Sequence, residues 1–254
     1  MNHHEHAHKN DIVTVLNPEG RSPIVMVCEH ASCFIPPALN DLGVSADALQ
    51  SHAVWDPGAL AVARGVAQRL DAVLVASNVS RLVYDCNRPP SAPDALPHQS
   101  ETIAVPGNMN LTPAERRARA DTYYEPFRAS LAQAIAAKTD PIVVTMHSFT
   151  PIYYGQKRSV EIGILHDQDA RLADAMIEMA PAHSQEKVER NQPYGPEDGV
   201  THTLKEHAIA AGHLNVMLEI RNDLIQSADS QDAMAARLAD WLTAALKAVQ
   251  GSAP

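Results

Sequence analysis

The sequence lacks any apolar run approaching the roughly 18 residues needed to cross a membrane, and its N-terminus has no apolar stretch of the export-signal type. It also lacks a Lys/Arg block. With a formal charge of −10 and a pI near 5.7, an extended nucleic-acid footprint is not expected, and only a compact cationic pocket is compatible with the balance. Cysteine is scarce. Cys28, Cys33 and Cys86 make an odd count, which argues against a disulfide framework and for a reducing compartment. Cys28 and Cys33 do not have the C-x-x-C spacing of a zinc knuckle. There is no internal repeat and no Gly/Ser linker, and the 18 prolines are scattered. These absences predict a soluble, cytoplasmic protein with no nucleic-acid or membrane partner.

The hydrophobic content of 45% over 254 residues suffices for a sizeable core in one α/β domain, expected over residues 12–254. The opening MNHHEHAHKN carries His3, His4, His6 and His8 without an apolar anchor. Residues 1–11 therefore read as a disordered His-rich tail, outside the catalytic machinery.

Strand and helix signals alternate along the rest. Short apolar runs mark strands at residues 24–28, 72–76, 141–146, 159–165 and 214–220. Asp56-Pro57 has the chemistry of a helix start, with Leu60, Val62, Ala63, Val66, Ala67 and Leu70 on the apolar face. Further helices are predicted over 114–138, 169–179, 203–211 (ending at Gly212) and 231–249. The rhythm predicts a three-layer αβα sandwich with a mainly parallel central sheet, in which sites gather beyond the carboxyl ends of the strands.

Three of those strand ends carry chemically capable residues. VMVCEH ends on His30, PIVVTMHSF carries His147, and LNVMLEIRND carries Glu219 and Arg221. Two imidazoles on one rim suit a zinc site, which in hydrolases takes three protein ligands and keeps a position open for water. For the third ligand the residues offer Asp56, Cys33 in an H-x-x-C arrangement, and Glu29. The structural alternative for Asp56 is helix capping, and for Glu219 an ion pair with Arg221.

The segments VCEHASCFIP, HAVWDPGA, SRLVYDCNRPP, TMHSFTP, IGIL, NQPY and LEIRND, in this order from about residue 24 to about 225, resemble the N-formylglutamate amidohydrolase family. The resemblance implies a zinc-dependent hydrolase fold related to carboxypeptidases, aspartoacylases and cell-wall amidases. In the first two, a Glu three residues after the first His binds zinc, and here Cys33 stands at that place. Cell-wall amidases take the acidic ligand from the start of the first helix, where Asp56 falls. The implied ligands are His30, Asp56 and His147, for one Zn²⁺ or another divalent ion.

Glu219 matches the general base of these relatives, a role suited to a carboxylate beside a metal site. Arg81, Asn87 and Arg88 resemble their Arg and Asn-Arg set, and a guanidinium fork can hold a substrate carboxylate in two hydrogen bonds. Arg81 could equally polarise the scissile carbonyl and steady its oxyanion. Arg158 and Arg221 are further substrate-binding candidates, while Asp85 is expected to orient an arginine and His52 to support Asp56. Asn191 and Tyr194 can simply shape a loop. The expected reaction is hydrolysis of a small N-acyl amino acid, with N-formyl-L-glutamate giving formate and L-glutamate. A peptide or peptidoglycan amidase with the same metal core, and a metal- or carboxylate-binding protein without catalysis, are the alternatives.

Overall fold

The computed structural model describes residues 11–251. The His-rich segment 1–10 lies outside them. Seven strands form one sheet: β1 (Val13–Leu16), β2 (Ile24–Cys28), β3 (Val73–Ser77), β4 (Ile142–Phe149), β5 (Ile162–Leu165), β6 (Val188–Arg190) and β7 (Asn215–Arg221). Their spatial order is β1-β3-β2-β4-β7-β5-β6. Every residue of β2, β4 and β7 is buried, which is why these strands read as continuous apolar runs rather than alternating ones.

Helices cover both faces: α1 (Ala59–Leu70), α2 (Pro113–Arg119), α3 (Glu125–Ala136), α4 (Arg171–His183), α5 (His202–His207) and α6 (Ala228–Gly251). The period-2 alternation of the strands divides the core. Met26, Leu74, Val144, Met146 and Leu218 pack with Val62, Val66, Met176, Leu238 and Leu242 from α1, α4 and α6. Val25, Val27, Val75, Val143 and Met217 point the other way, onto Phe127 and Leu131 of α3 and Leu204 of α5. Trp241, fully buried, donates its indole N–H to the Met176 carbonyl at 2.8 Å and so locks α6 to α4. Side chains of this kind each contribute about 1.5–3 kcal/mol by leaving water.

The sheet is mixed, with parallel pairings in the majority. Strands β3, β2, β4 and β7 run parallel, but β1 lies antiparallel to β3, and β5 antiparallel to β7 while parallel to β6. The reason is the link from β4 to β5. It holds only a small hairpin, Ile152–Tyr153 with Gln156–Lys157, and no crossover helix, so the chain re-enters the sheet from the end at which β4 left it. Strand β5 also starts at Ile162 rather than residue 159. Its Gly163 is needed because a Cβ there would run into the Gln192 carbonyl.

Two strands of the sheet escaped the sequence reading, both at its edges: β1, whose Val-Thr-Val-Leu is only half-buried, and β6, whose Val-Glu-Arg carries no apolar run and is partly exposed. The helix expected over 114–138 is broken by a π-helical turn, Ala120–Tyr124, between α2 and α3. Pro126 near the start of α3 lacks an N–H and cannot close the regular ladder there. The helix expected at Asp56 begins instead at Ala59, behind Gly58 at φ +83°, where a Cβ would lie 2.7 Å from the Ile225 carbonyl oxygen. Asp56 makes no side-chain cap. Its carboxylate is turned over the sheet.

Candidate metal centre and active site

The strand ends converge as the rule for α/β sheets predicts. His30 follows β2, Asp56 precedes α1, and His147 and Glu219 sit near the ends of β4 and β7. His147 and Glu219 are partners in the parallel register of those two strands, so their side chains leave the same face. All four are buried.

His30, Asp56 and His147 bring one donor atom each to within 4.8 Å of one another. The two Nδ1 atoms are 3.2 Å apart. Asp56 Oδ2 lies 3.3 Å from His30 Nδ1 and 2.9 Å from His147 Nδ1. A tetrahedral zinc with bonds of about 2.0–2.1 Å spaces its ligand atoms about 3.4 Å apart, so the triangle has close to the dimensions such an ion requires. The Ser148 N–H also donates to Asp56 Oδ2, at 3.3 Å, and steadies that carboxylate.

The far side of each ring faces a second carboxylate, hydrogen-bonded at His30 and ion-paired at His147. His30 Nε2 is 2.7 Å from Asp85 Oδ1, and His147 Nε2 is 3.2 Å from Glu29 Oε2. Carboxylate partners of this kind fix the ring orientation and raise ligand basicity, leaving Nδ1 to the metal. Burial opposes charge on both imidazoles, yet the surrounding carboxylates raise both, His147 most strongly through Glu29 and Asp56. Burial likewise disfavours the Asp56 anion, but the two histidines hold its carboxyl well below the usual range. The centre is thus built to hold positive charge, which a divalent ion supplies without protonating the rings.

Arg81 reaches Asp56 Oδ1 at 3.4 Å and Asp85 Oδ2 at 3.2 Å. Asp85 therefore orients an arginine, as expected, and His30 as well. Burial pushes the Glu219 carboxyl up to about 7, with His147 opposing and Asp56 reinforcing the shift. Among the described residues its Oε2 accepts no hydrogen bond. His30, Asp56, Arg81, His147 and Glu219 line a cavity of about 270 Å³ together with His52, Asn87, Arg88, Phe149, Tyr153 and Tyr194.

The remaining expected residues are placed differently. Asn87 and Arg88 face the cavity but are engaged with backbone: Asn87 donates to the Val200 carbonyl at 2.5 Å and accepts from the Thr203 N–H at 3.0 Å. Arg88 pairs with Asp94 at 2.7 Å and donates to the Gly199 carbonyl at 3.0 Å. Arg221 is a correction: it does not line the cavity, because Asp223 at 2.8 Å and Glu161 at 3.0 Å hold it at the carboxyl end of β7. It does not pair with Glu219 either. Arg158 does not itself line the cavity but lies behind three rings that do, 4.4 Å from Tyr153, 4.8 Å from Tyr194 and 5.5 Å from Phe149, with no carboxylate partner among the described residues. His52 bonds Glu101 rather than Asp56. Cys33 is outside the cluster, and Glu29 serves behind His147.

The family model of N-formylglutamate amidohydrolase matches residues 22–226. The chain belongs to the N-formylglutamate amidohydrolase family. It is a metal-dependent amidohydrolase acting on N-formylglutamate-like substrates, with its zinc-hydrolase centre at His30, Asp56 and His147. A gene product of Agrobacterium tumefaciens of known crystal structure is 52% identical, with a TM-score of 0.91 over 94% of this chain and 96% of that one. The N-formylglutamate amidohydrolase of Ralstonia eutropha shares the fold at 20% identity, with a TM-score of 0.61 over 94% and 97% of the two chains. Among functionally curated proteins none matches. No helix among the described residues is long and apolar enough to cross a membrane.

Proposed function

We propose that the protein hydrolyses N-formyl-L-glutamate to formate and L-glutamate, with Glu219 as general base. The observation that carries this reading is a buried carboxylate, in register with a ligand histidine, whose Oε2 is left without a hydrogen bond beside three converging donors. His30, Asp56 and His147 would hold the ion, which would supply Lewis acidity at this site. Glu219 takes the proton of the attacking water as its oxygen bonds to the formyl carbon, then passes that proton to the amide nitrogen as the C–N bond breaks. Arg81, fixed by Asp56 and Asp85, points N–H groups toward the oxyanion that forms.

Arg158 is the substrate-carboxylate anchor in this reading. Its guanidinium is cradled by three aromatic rings and has no internal counter-ion among the described residues. Asn87 and Arg88, tied to residues 198–203, shape the opposite wall and add cationic character to it. Residues 12–254 would act as one domain of zinc-exopeptidase-like type, in the cytoplasm, without a nucleic-acid or membrane partner. The cavity lies at the low end for small-molecule sites, which favours one acylated amino acid over a polypeptide.

The test is turnover by zinc-loaded protein of formyl-, acetyl- and succinyl-amino acids. The formyl-glutamate reaction is expected to be fastest. Absence of turnover of all of them, with zinc shown to be bound, would overturn the reading.

A further inference from the structure

Two short hairpins stand at the mouth of the cavity, one at residues 99–104 and one at residues 152–157. In the first Ser100 pairs with Ile103, and in the second Tyr153 pairs with Gln156, leaving the two-residue tips Glu101-Thr102 and Tyr154-Gly155. The tips are joined through one carboxylate. Glu101 Oε1 accepts the Tyr154 backbone N–H at 2.8 Å, and Glu101 Oε2 lies 3.0 Å from His52 Nε2. The Tyr154 hydroxyl adds a weaker bond to the Glu101 carbonyl at 3.4 Å. Ser100, Tyr153 and His52, at or beside these contacts, all line the cavity. Glu101 and Tyr154 have φ of +52° and +46°, a region disfavoured for residues with a Cβ, so both tips are held in conformations that the contacts must maintain.

We propose that Glu101 is a specificity-determining latch, which holds the two hairpins and His52 together so that the cavity admits a single N-acyl amino acid and refuses one extended by a peptide bond. The proposal rests on the amidohydrolase reading of the site. Glu101 touches no ligand of the metal cluster; it acts as a positioning residue through Ser100, Tyr153 and His52. Losing a charged acceptor from a backbone N–H and an imidazole frees both tips at once. A mouth bounded by unlatched hairpins leaves room for a further residue on the substrate's carboxyl side.

The experiment compares the full zinc-loaded chain with Glu101→Ala and Glu101→Gln, on N-formyl-glutamate and on N-formyl-glutamyl-glycine. For Glu101→Ala, the kcat/KM ratio of dipeptide to amino acid should rise about tenfold, and KM for the amino acid should rise with kcat within about twofold. Gln can still accept from Tyr154 and bond His52, so Glu101→Gln should return toward the wild-type ratio. An unchanged ratio in Glu101→Ala overturns the latch. If the wild type turns over neither compound, the N-formyl-glutamate assignment fails instead, and hydrogen exchange at the Tyr154 amide then decides the latch. About tenfold faster exchange in Glu101→Ala, reversed in Glu101→Gln, supports it, and unchanged exchange overturns it.

Discussion

Glu219 stands directly across from His147 in the parallel register of β7 and β4, and both side chains enter the same buried face. This relationship puts a carboxylate beside the metal triad without making it a ligand. The three donor atoms cluster without it, and among the described residues its Oε2 accepts no hydrogen bond. Glu219→Gln keeps the shape and removes the base. We expect kcat to fall by about 10²–10⁴ while the zinc content stays at one ion per chain, checked by steady-state kinetics with elemental analysis.

The same carboxylate sets a pH dependence. Without metal, burial holds it at about 7, so it is protonated below that pH and ionised above it. A divalent ion at the triad favours the anion, so metal loading should move this titration downward. The carboxyl band of Glu219 in isotope-edited infrared spectra should titrate near 7 in the metal-free protein and at lower pH in the zinc form. The acid limb of kcat/KM follows the zinc form, because the base must be ionised. A limb unmoved by replacing Glu219 would contradict the assignment.

Asp85 and Glu29 brace the rings from behind. Asp85→Asn weakens the hold on His30 and on Arg81 together, and Glu29→Gln weakens the hold on His147. Each is expected to lower zinc affinity by about 10–100-fold, measured by competition with a chromophoric chelator.

Much of this centre was legible because strands announce themselves by apolar runs and the chemistry follows the run. His30, His147 and Glu219 stand at or near the ends of three such runs, and Asp56 lies just ahead of the first long helix, with Pro57 and Gly58 between. The alternative for Asp56, helix capping, does not occur. Only the folded chain shows Gly58 taking the left-handed turn and freeing the carboxylate. Arg221 misled in the opposite sense, since adjacency to Glu219 in sequence suggests a shared site. Arg221 is the last residue of β7, and Asp223 just after the strand and Glu161 just before β5 absorb its charge. The Glu101 contacts were invisible, because they join segments about 50 residues apart and no motif marks them.

Arg158 carries the specificity part of the account. Arg158→Gln removes a cation held over three rings. KM for N-formyl-glutamate should rise by about 10-fold or more, and the preference over N-formyl-glutamine should collapse, because the latter offers one carboxylate fewer. Equal loss on both compounds would assign Arg158 to the carboxylate they share.

The central claim is a single divalent site made by His30, Asp56 and His147, and bound zinc tests it most directly. It is best measured by elemental analysis on protein lacking residues 1–10, so that His3, His4, His6 and His8 do not contribute. One zinc per chain is expected in the wild type and in Cys33→Ala, and loss of that zinc in His30→Ala, Asp56→Ala and His147→Ala. Zinc retained in Asp56→Ala but lost in Cys33→Ala would contradict the account.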